Sequence, residues 1–231
     1  MTRIVVLAVL AAGCLSRPAA ITDAPGMGGG GGDANLGSES CTSGMIVIDD
    51  FDSGSAGACG IGSVVGQGVT IDSNQLAIDP TGTGPGPFTS GCRWAGEPFG
   101  GTGVELQSVF VLTEANDETV LAVTLGEFTL KMFVVADPVN GSYLDLGDDN
   151  TPVIASAKYN VNTTGWWRLR PAGAHTVLGE YAADPAQTWV QLGVETGVPS
   201  TASPATVEVL ATQGTIDMET ATLDNVETCA P

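Results

Sequence analysis

Trp166-Trp167-Arg168-Leu169-Arg170 is followed by Pro171-Ala172-Gly173-Ala174-His175 and then by Thr176-Val177-Leu178-Gly179-Glu180-Tyr181. Two runs rich in aromatic and aliphatic residues, split by a Pro/Gly turn, read as consecutive β-strands. Neighbouring side chains on a strand point to opposite faces. Trp167 and Leu169 therefore share one face, which the pattern assigns to a core. Trp166, Arg168 and Arg170 share the other. A third run, Trp189–Val194, follows Ala182-Ala183-Asp184-Pro185. Its leading indole is assigned to the core, because large aromatics usually bury their area.

The same rhythm extends in both directions. Strand-like runs occur at 45–48, 104–112, 120–125, 128–136, 153–159, 207–211 and 220–226. The runs 120–125 and 128–136 flank Gly126-Glu127, a two-residue connection that reads as a hairpin. Turn formers stand between the others: Asn140-Gly141, Gly147-Asp148-Asp149-Asn150 and the stretch 197–204. No stretch carries a helical period. Short strands at this spacing predict an all-β sandwich or barrel. The Gly/Pro-rich segment 79–103 reads as a long loop, of the kind that binds something or has no structure of its own. Trp94, beside Cys92 and Arg93, is there either a ligand-binding residue or a plug.

The Trp-Arg-Leu-Arg strand, the strand ending at Tyr181, Asp184 and Thr188-Trp189 resemble the strand-turn-strand signature of concanavalin-A-like lectin/glucanase domains. Asp49-Asp50-Phe51 and Leu223-Asp224-Asn225-Val226 are similar to the first and last strands of such jelly rolls. In this chain Ala182-Ala183-Asp184-Pro185 stands where that family has Ser-x-Asp-Gly. The resemblance implies a jelly-roll β-sandwich of two antiparallel sheets and bears on fold far more than on function. Glucanases of this fold carry Glu-x-Asp-x-x-Glu on one strand, which places two carboxylates for acid and nucleophile roles. No such spacing occurs here; Glu105, Glu127, Asp217 and Glu219 are scattered. Jelly-roll modules often hold calcium between their first and last strands, which would make Asp50, Asp52 and Asp224 its ligands. A second acidic group, Asp145, Asp148, Asp149 and Asn150, lacks EF-hand spacing and reads as a solvated turn.

The N-terminus sets the address. Arg3 precedes an apolar run, Ile4–Ala12, too short to span a bilayer but of signal-peptide length. The run ends in Ala11-Ala12-Gly13-Cys14, which resembles a bacterial lipobox with Ala in place of the preferred Leu. Residues 1–13 are thus expected to be a lipoprotein signal peptide and Cys14 the lipidated residue. Residues 14–40 are the anchor and a Gly/Pro-rich linker with almost no large apolar side chains, and 41–231 the β-sandwich domain. Such a linker cannot bury enough surface to offset its ordering entropy. Lipidation of Cys14 leaves four of the five cysteines, an even number that fits disulfides in an oxidising compartment. Cys41 and Cys229 lie just outside the first and last strands and would meet if those strands pair antiparallel. Cys59 and Cys92 then pair by elimination.

Charge and motif content bound the function. Seven Lys+Arg against 26 Asp+Glu give a formal net charge of −19. That excludes nucleic acid as a partner, since phosphates need Lys and Arg to replace their counterions. It also leaves membrane attachment to the lipid alone. No nucleotide loop, zinc spacing or nucleophile elbow is present, and the one histidine, His175, sits at a turn. The expectation is a non-catalytic, lipid-anchored protein of the bacterial cell envelope, at the outer membrane or cell surface, binding carbohydrate or another surface component. Trp166, Arg168, Arg170 and Trp94 are its candidate ligand-binding residues. Arg168 and Arg170 could instead pair with local carboxylates while Trp166 covers the sheet. A structural or adhesive envelope protein without a small ligand, and a hydrolase with atypical acids, are the alternatives.

Overall fold

In a computed structural model the described residues are 45–51, 57–83, 86–97, 99–100, 103–201, 204–214 and 219–229. Cys14, Cys41 and Asp52, with the segments expected to be signal peptide and linker, lie outside them. The strands, in chain order, are β1 (Met45–Asp49), β2 (Ser63–Val65), β3 (Val69–Asp72), β4 (Gln75–Ile78) and β5 (Phe88–Glu97). Next come β6 (Val104–Phe110), β7 (Glu118–Leu125), β8 (Phe128–Val135), β9 (Tyr143–Asp148) and β10 (Ala155–Lys158). One helical turn, α1 (Val161–Thr164), precedes β11 (Trp166–Gly173), β12 (Thr176–Ala182), β13 (Val190–Thr196), β14 (Ala205–Gln213) and β15 (Ala221–Cys229).

These strands form the expected jelly-roll sandwich of two antiparallel sheets. The first runs β13-β12-β11-β6-β15-β4-β3, with β1 also on β15; the second runs β10-β9-β8-β7-β14-β5-β2. β15 organises the first sheet. One side pairs with β6 along most of its length, and the other is shared by β4 and β1. The first and last strands are therefore antiparallel neighbours, with Met45 opposite Cys229. The Gly126-Glu127 hairpin also forms, joining Leu125 to Phe128. Gly126 has φ +67°, which a glycine adopts without penalty at the first position of such a turn.

The core lies between the sheets. Leu106, Trp167, Leu169 and Leu223 face it from the first, and Leu121, Met132, Leu144 and Val209 from the second. Each such side chain contributes about 1.5–3 kcal/mol by leaving water. The Trp167 indole also donates to the Thr164 carbonyl at 2.7 Å, which fixes the entry to β11. At the β9/β13 margin, the carboxyls of Asp148 and Glu195 face each other across the two sheets. Burial, and then the Asp148 charge, push the Glu195 carboxyl above its ordinary range.

Two sequence expectations are corrected here. Segment 79–103 is no loop at its centre: β5 spans ten residues there and is paired on both sides, by β14 and β2. Its inward side chains Ser90, Cys92 and Trp94 are fully buried and alternate with exposed Arg93 and Ala95. The glycines and flanking prolines hide that alternation. The acidic group at 145–150 is a solvated turn only at Asp149 and Asn150, because Asp145 and Asp148 lie buried on β9. Asp148 Oδ1 accepts from the amides of Asn150 and Thr151, and Asp145 accepts from the Ser156 hydroxyl.

Cys59 and Cys92 are disulfide-bonded, as the cysteine count predicts, and both are buried. The bond joins residues 33 apart in sequence, tying the turn before β2 to β5. Closing a loop of that length in the unfolded chain removes entropy equivalent to about 3–4 kcal/mol. Replacing both cysteines by alanine should lower the unfolding free energy by about that amount, read as a shift in the denaturant midpoint. An unshifted midpoint would show that the bond adds nothing to stability.

Candidate functional site

The outer face of the first sheet collects the polar side chains that β11 turns away from the core. Cross-strand register sets Glu227 of β15, Glu105 of β6, Arg168 of β11, Glu180 of β12 and Gln191 of β13 in one row. A second row holds Asp224, Gln107, Trp166 and Ala182. A bulge at Asn225, whose φ is +46°, turns that residue towards β6. The Asn225 side-chain amide donates to Gln107 Oε1 at 3.1 Å.

The first row is an ion-pair lattice. Arg168 donates through Nε to Glu180 Oε2 at 2.8 Å and through Nη1 to Glu105 Oε1 at 3.3 Å. Arg170 holds the same Glu180 with two bonds, Nε to Oε2 at 2.9 Å and Nη2 to Oε1 at 3.0 Å. All four residues are buried, between 5% and 8% exposed. Planar guanidiniums and a bidentate carboxylate suit such a site, because the directed bonds compensate the loss of hydration. The Trp189 ring closes the lattice from above, its centroid 4.1 Å from the Arg168 guanidinium carbon. Trp189 is thus half-buried on the outer face and not in the core, where its size had placed it. The attraction of a cation for the ring face explains the difference.

The acids respond to this crowding. Burial pushes the Glu105 carboxyl up; Arg168 opposes the shift, while Glu227 and Glu180 add to it. Burial also raises Glu227, directly opposite Glu105 across the strands.

The candidate residues are not brought together as a group. Trp166, Arg168 and Arg170 share the outer face, as the alternation predicts. Arg168 and Arg170 lie beneath it, committed to carboxylates, so the ion-pair reading describes them. Trp94 is in the core, 1% exposed, with its indole donating to the Cys59 carbonyl at 3.1 Å; it is a plug beneath the disulfide. Asp50 is exposed at the end of β1, and Asp224 is half-buried on β15 with the Asn225 amide donating to it at 2.9 Å. Among the described residues no group of three or more acidic, histidine or cysteine side chains is set to hold a metal. Asp52 and Asp217 fall outside the described residues. Gln107, Asn225 and Glu180 are members of this face that the sequence did not single out, and Trp189 is one that it had assigned to the core.

No sequence-family profile matches the chain, and no curated protein matches it. Among solved structures, a lectin from Bauhinia forficata in complex with GalNAc is similar at TM-score 0.49 and 11% identity, over 79% of this chain and 96% of the lectin. A beta-porphyranase from the human gut bacterium Bacteroides plebeius is similar at TM-score 0.44 and 9% identity, over 80% of this chain and 91% of the enzyme.

The lattice predicts opposite behaviour for its two buried acids. Glu180→Ala strips both guanidiniums of their shared partner and should cost about 3–5 kcal/mol in denaturant unfolding. Glu105, with its carboxyl raised on folding, contributes stability that is present below the ordinary carboxylate range and lost as pH rises through the folded value. Glu105→Gln fixes the neutral form. The melting temperature of that variant relative to the native chain should therefore improve between about pH 4 and about pH 7. A difference that is flat with pH would remove Glu105 from this account.

Proposed function

We propose that this chain is a non-catalytic binding protein of the bacterial cell envelope, anchored through a lipid on Cys14, whose sandwich domain binds carbohydrate on the outer face of its first sheet. The observation that carries the reading is the second row of that face. Trp166 is half-exposed and set in register with Gln107 and Asp224, and Asn225 is bonded to Gln107. An indole offers a flat apolar surface to the C–H face of a sugar ring. Neighbouring amides donate to and accept from its hydroxyls without requiring charge. Arg168 and Arg170 serve as positioning residues: they hold Trp189 and the floor rigid, which spares the ligand the cost of ordering them.

Absence of catalysis is part of the proposal. Glu105 and Glu180 are tied to guanidiniums, and Glu219 is bonded by the Thr113 amide and hydroxyl far along the chain from Trp166. A hydrolytic reading has one observation in its favour, the raised Glu227 carboxyl beside Glu105. It predicts that reducing ends appear when the protein meets the glycan it retains, and that Glu227→Gln stops their release.

An array of immobilised glycans tests the binding reading. The native protein should retain at least one neutral oligosaccharide. Trp166→Ala should weaken that binding about tenfold, equivalent to ~1.4 kcal/mol, with little change in melting temperature. Retention of no glycan by the native protein would overturn the reading. Mass spectrometry of protein from the envelope should find diacylglyceryl on Cys14 as the new N-terminus, and an unmodified Cys14 would remove the anchor.

A further inference from the structure

The chain has so few cations that each can be placed. Its seven Lys+Arg are Arg3, Arg17, Arg93, Lys131, Lys158, Arg168 and Arg170. Arg3 and Arg17 precede the described residues. Arg93, Lys131 and Lys158 all belong to the second sheet, on β5, β8 and β10. Arg93 is paired with Glu208 and Lys131 with Glu118. Only Arg168 and Arg170 belong to the first sheet, and both are buried and bonded to Glu105 and Glu180. Among the described residues, the outer face of that sheet therefore offers no exposed cation to a ligand.

Its acids are more accessible. Glu227 and Asp224 are half-buried on β15, and Glu105 lies directly across from Glu227. Glu105, Glu180 and Glu227 outnumber the two guanidiniums in the lattice, so the local balance is negative before Asp224 is added. A sulfate ester or uronate brought over Trp166 would lose hydration, meet like charge and find no counter-charge.

Resting on the carbohydrate reading above, we propose that the ligand of the Trp166 face is an uncharged glycan, and that Glu227, backed by Glu105 and Asp224, is the specificity determinant that turns away sulfated and uronic-acid chains. The indole and the Gln107–Asn225 amides supply attraction that any neutral sugar can use. The acidic row supplies the repulsion that selects among sugars, and specificity generally needs both.

The test uses the full chain and matched probes: oligosaccharides of glucose, galactose, mannose and N-acetylglucosamine, each beside its O-sulfated counterpart, with glucuronic-acid oligomers added. Neutral members should bind at least tenfold more tightly than their sulfated partners at low salt. Raising the salt to about 1 M shortens the screening length to ~3 Å and should narrow that ratio. Glu227→Gln should narrow it several-fold at low salt, with melting temperature confirming a folded variant. Equal or tighter binding of sulfated or uronic chains overturns the proposal while leaving the carbohydrate reading in place. An unchanged ratio in Glu227→Gln removes Glu227 as the determinant. Failure of every probe to bind overturns the carbohydrate reading, and this proposal with it.

Discussion

Two guanidinium groups buried on the solvent side of a sheet cannot stand without carboxylates, and that requirement shapes the first sheet. Alternation along β11 drives Trp167 and Leu169 into the core and leaves Arg168 and Arg170 outside. With both buried and Trp189 lying over Arg168, each cation must be compensated within hydrogen-bond reach, or its lost hydration would outweigh the packing gained. Glu180 answers both from the next strand, and Glu105 answers Arg168 from the other side. Register between β6, β11 and β12 is thereby fixed twice, once by the apolar pattern facing inward and once by charge facing outward. A slip of one residue would bury the arginines in the core and strand the glutamates.

The packing beneath this face explains how β13 ends the sheet. β12 and β13 meet with Gly179 opposite Gly193, both turned inward. A Cβ on Gly179 would stand 2.8 Å from Leu146 Cδ1, and one on Gly193 2.7 Å from Ala155 Cβ. The missing side chains let the first sheet close down on Leu146 of β9 and on β10, which shuts the sandwich at that margin. The indole of Trp189 then leans back over Arg168 and holds the start of β13 to the sheet interior.

Much of this architecture was legible because it is written in local pattern. The alternation in β11, the hairpin at Gly126-Glu127 and the end-to-end pairing of β1 with β15 follow from neighbours along the chain or from cysteine positions. What was not legible depends on residues distant in sequence. Glu105 lies 63 residues before Arg168, and nothing near it announces a partner. Gln107 and Asn225 are 118 residues apart and gain meaning only when β6 and β15 pair. Trp94 was ambiguous because glycines on β5 break the visible alternation, and only the burial of its indole against the Cys59 carbonyl assigns it to the core. Trp189 carries the more general lesson. Size alone sent it inward, but a cation two strands away gives a half-exposed indole an alternative place to bury its face.

The two outer faces of the sandwich end up chemically unlike, and the difference supports the proposed binding face over the other. On the second sheet, Val120, Ala122 and Phe133 form a separate apolar cluster, with Val135, Val153 and Leu210 packed against it. The segment after β9 folds over this patch: Pro152 and Phe133 both crowd Gly147, and the Ile154 amide returns to the Leu146 carbonyl at 2.7 Å. Lys131 lies over the Phe133 ring at 4.5 Å from its centroid. That face is consumed by its own covering. On the first sheet the covering stops short: the charges are sealed, but Trp166, Gln107, Asn225 and Glu227 remain half-exposed above them. A rigid floor whose strong interactions are already satisfied, topped by an indole and amides whose capacity is not, is the arrangement from which selective binding costs least in reorganisation.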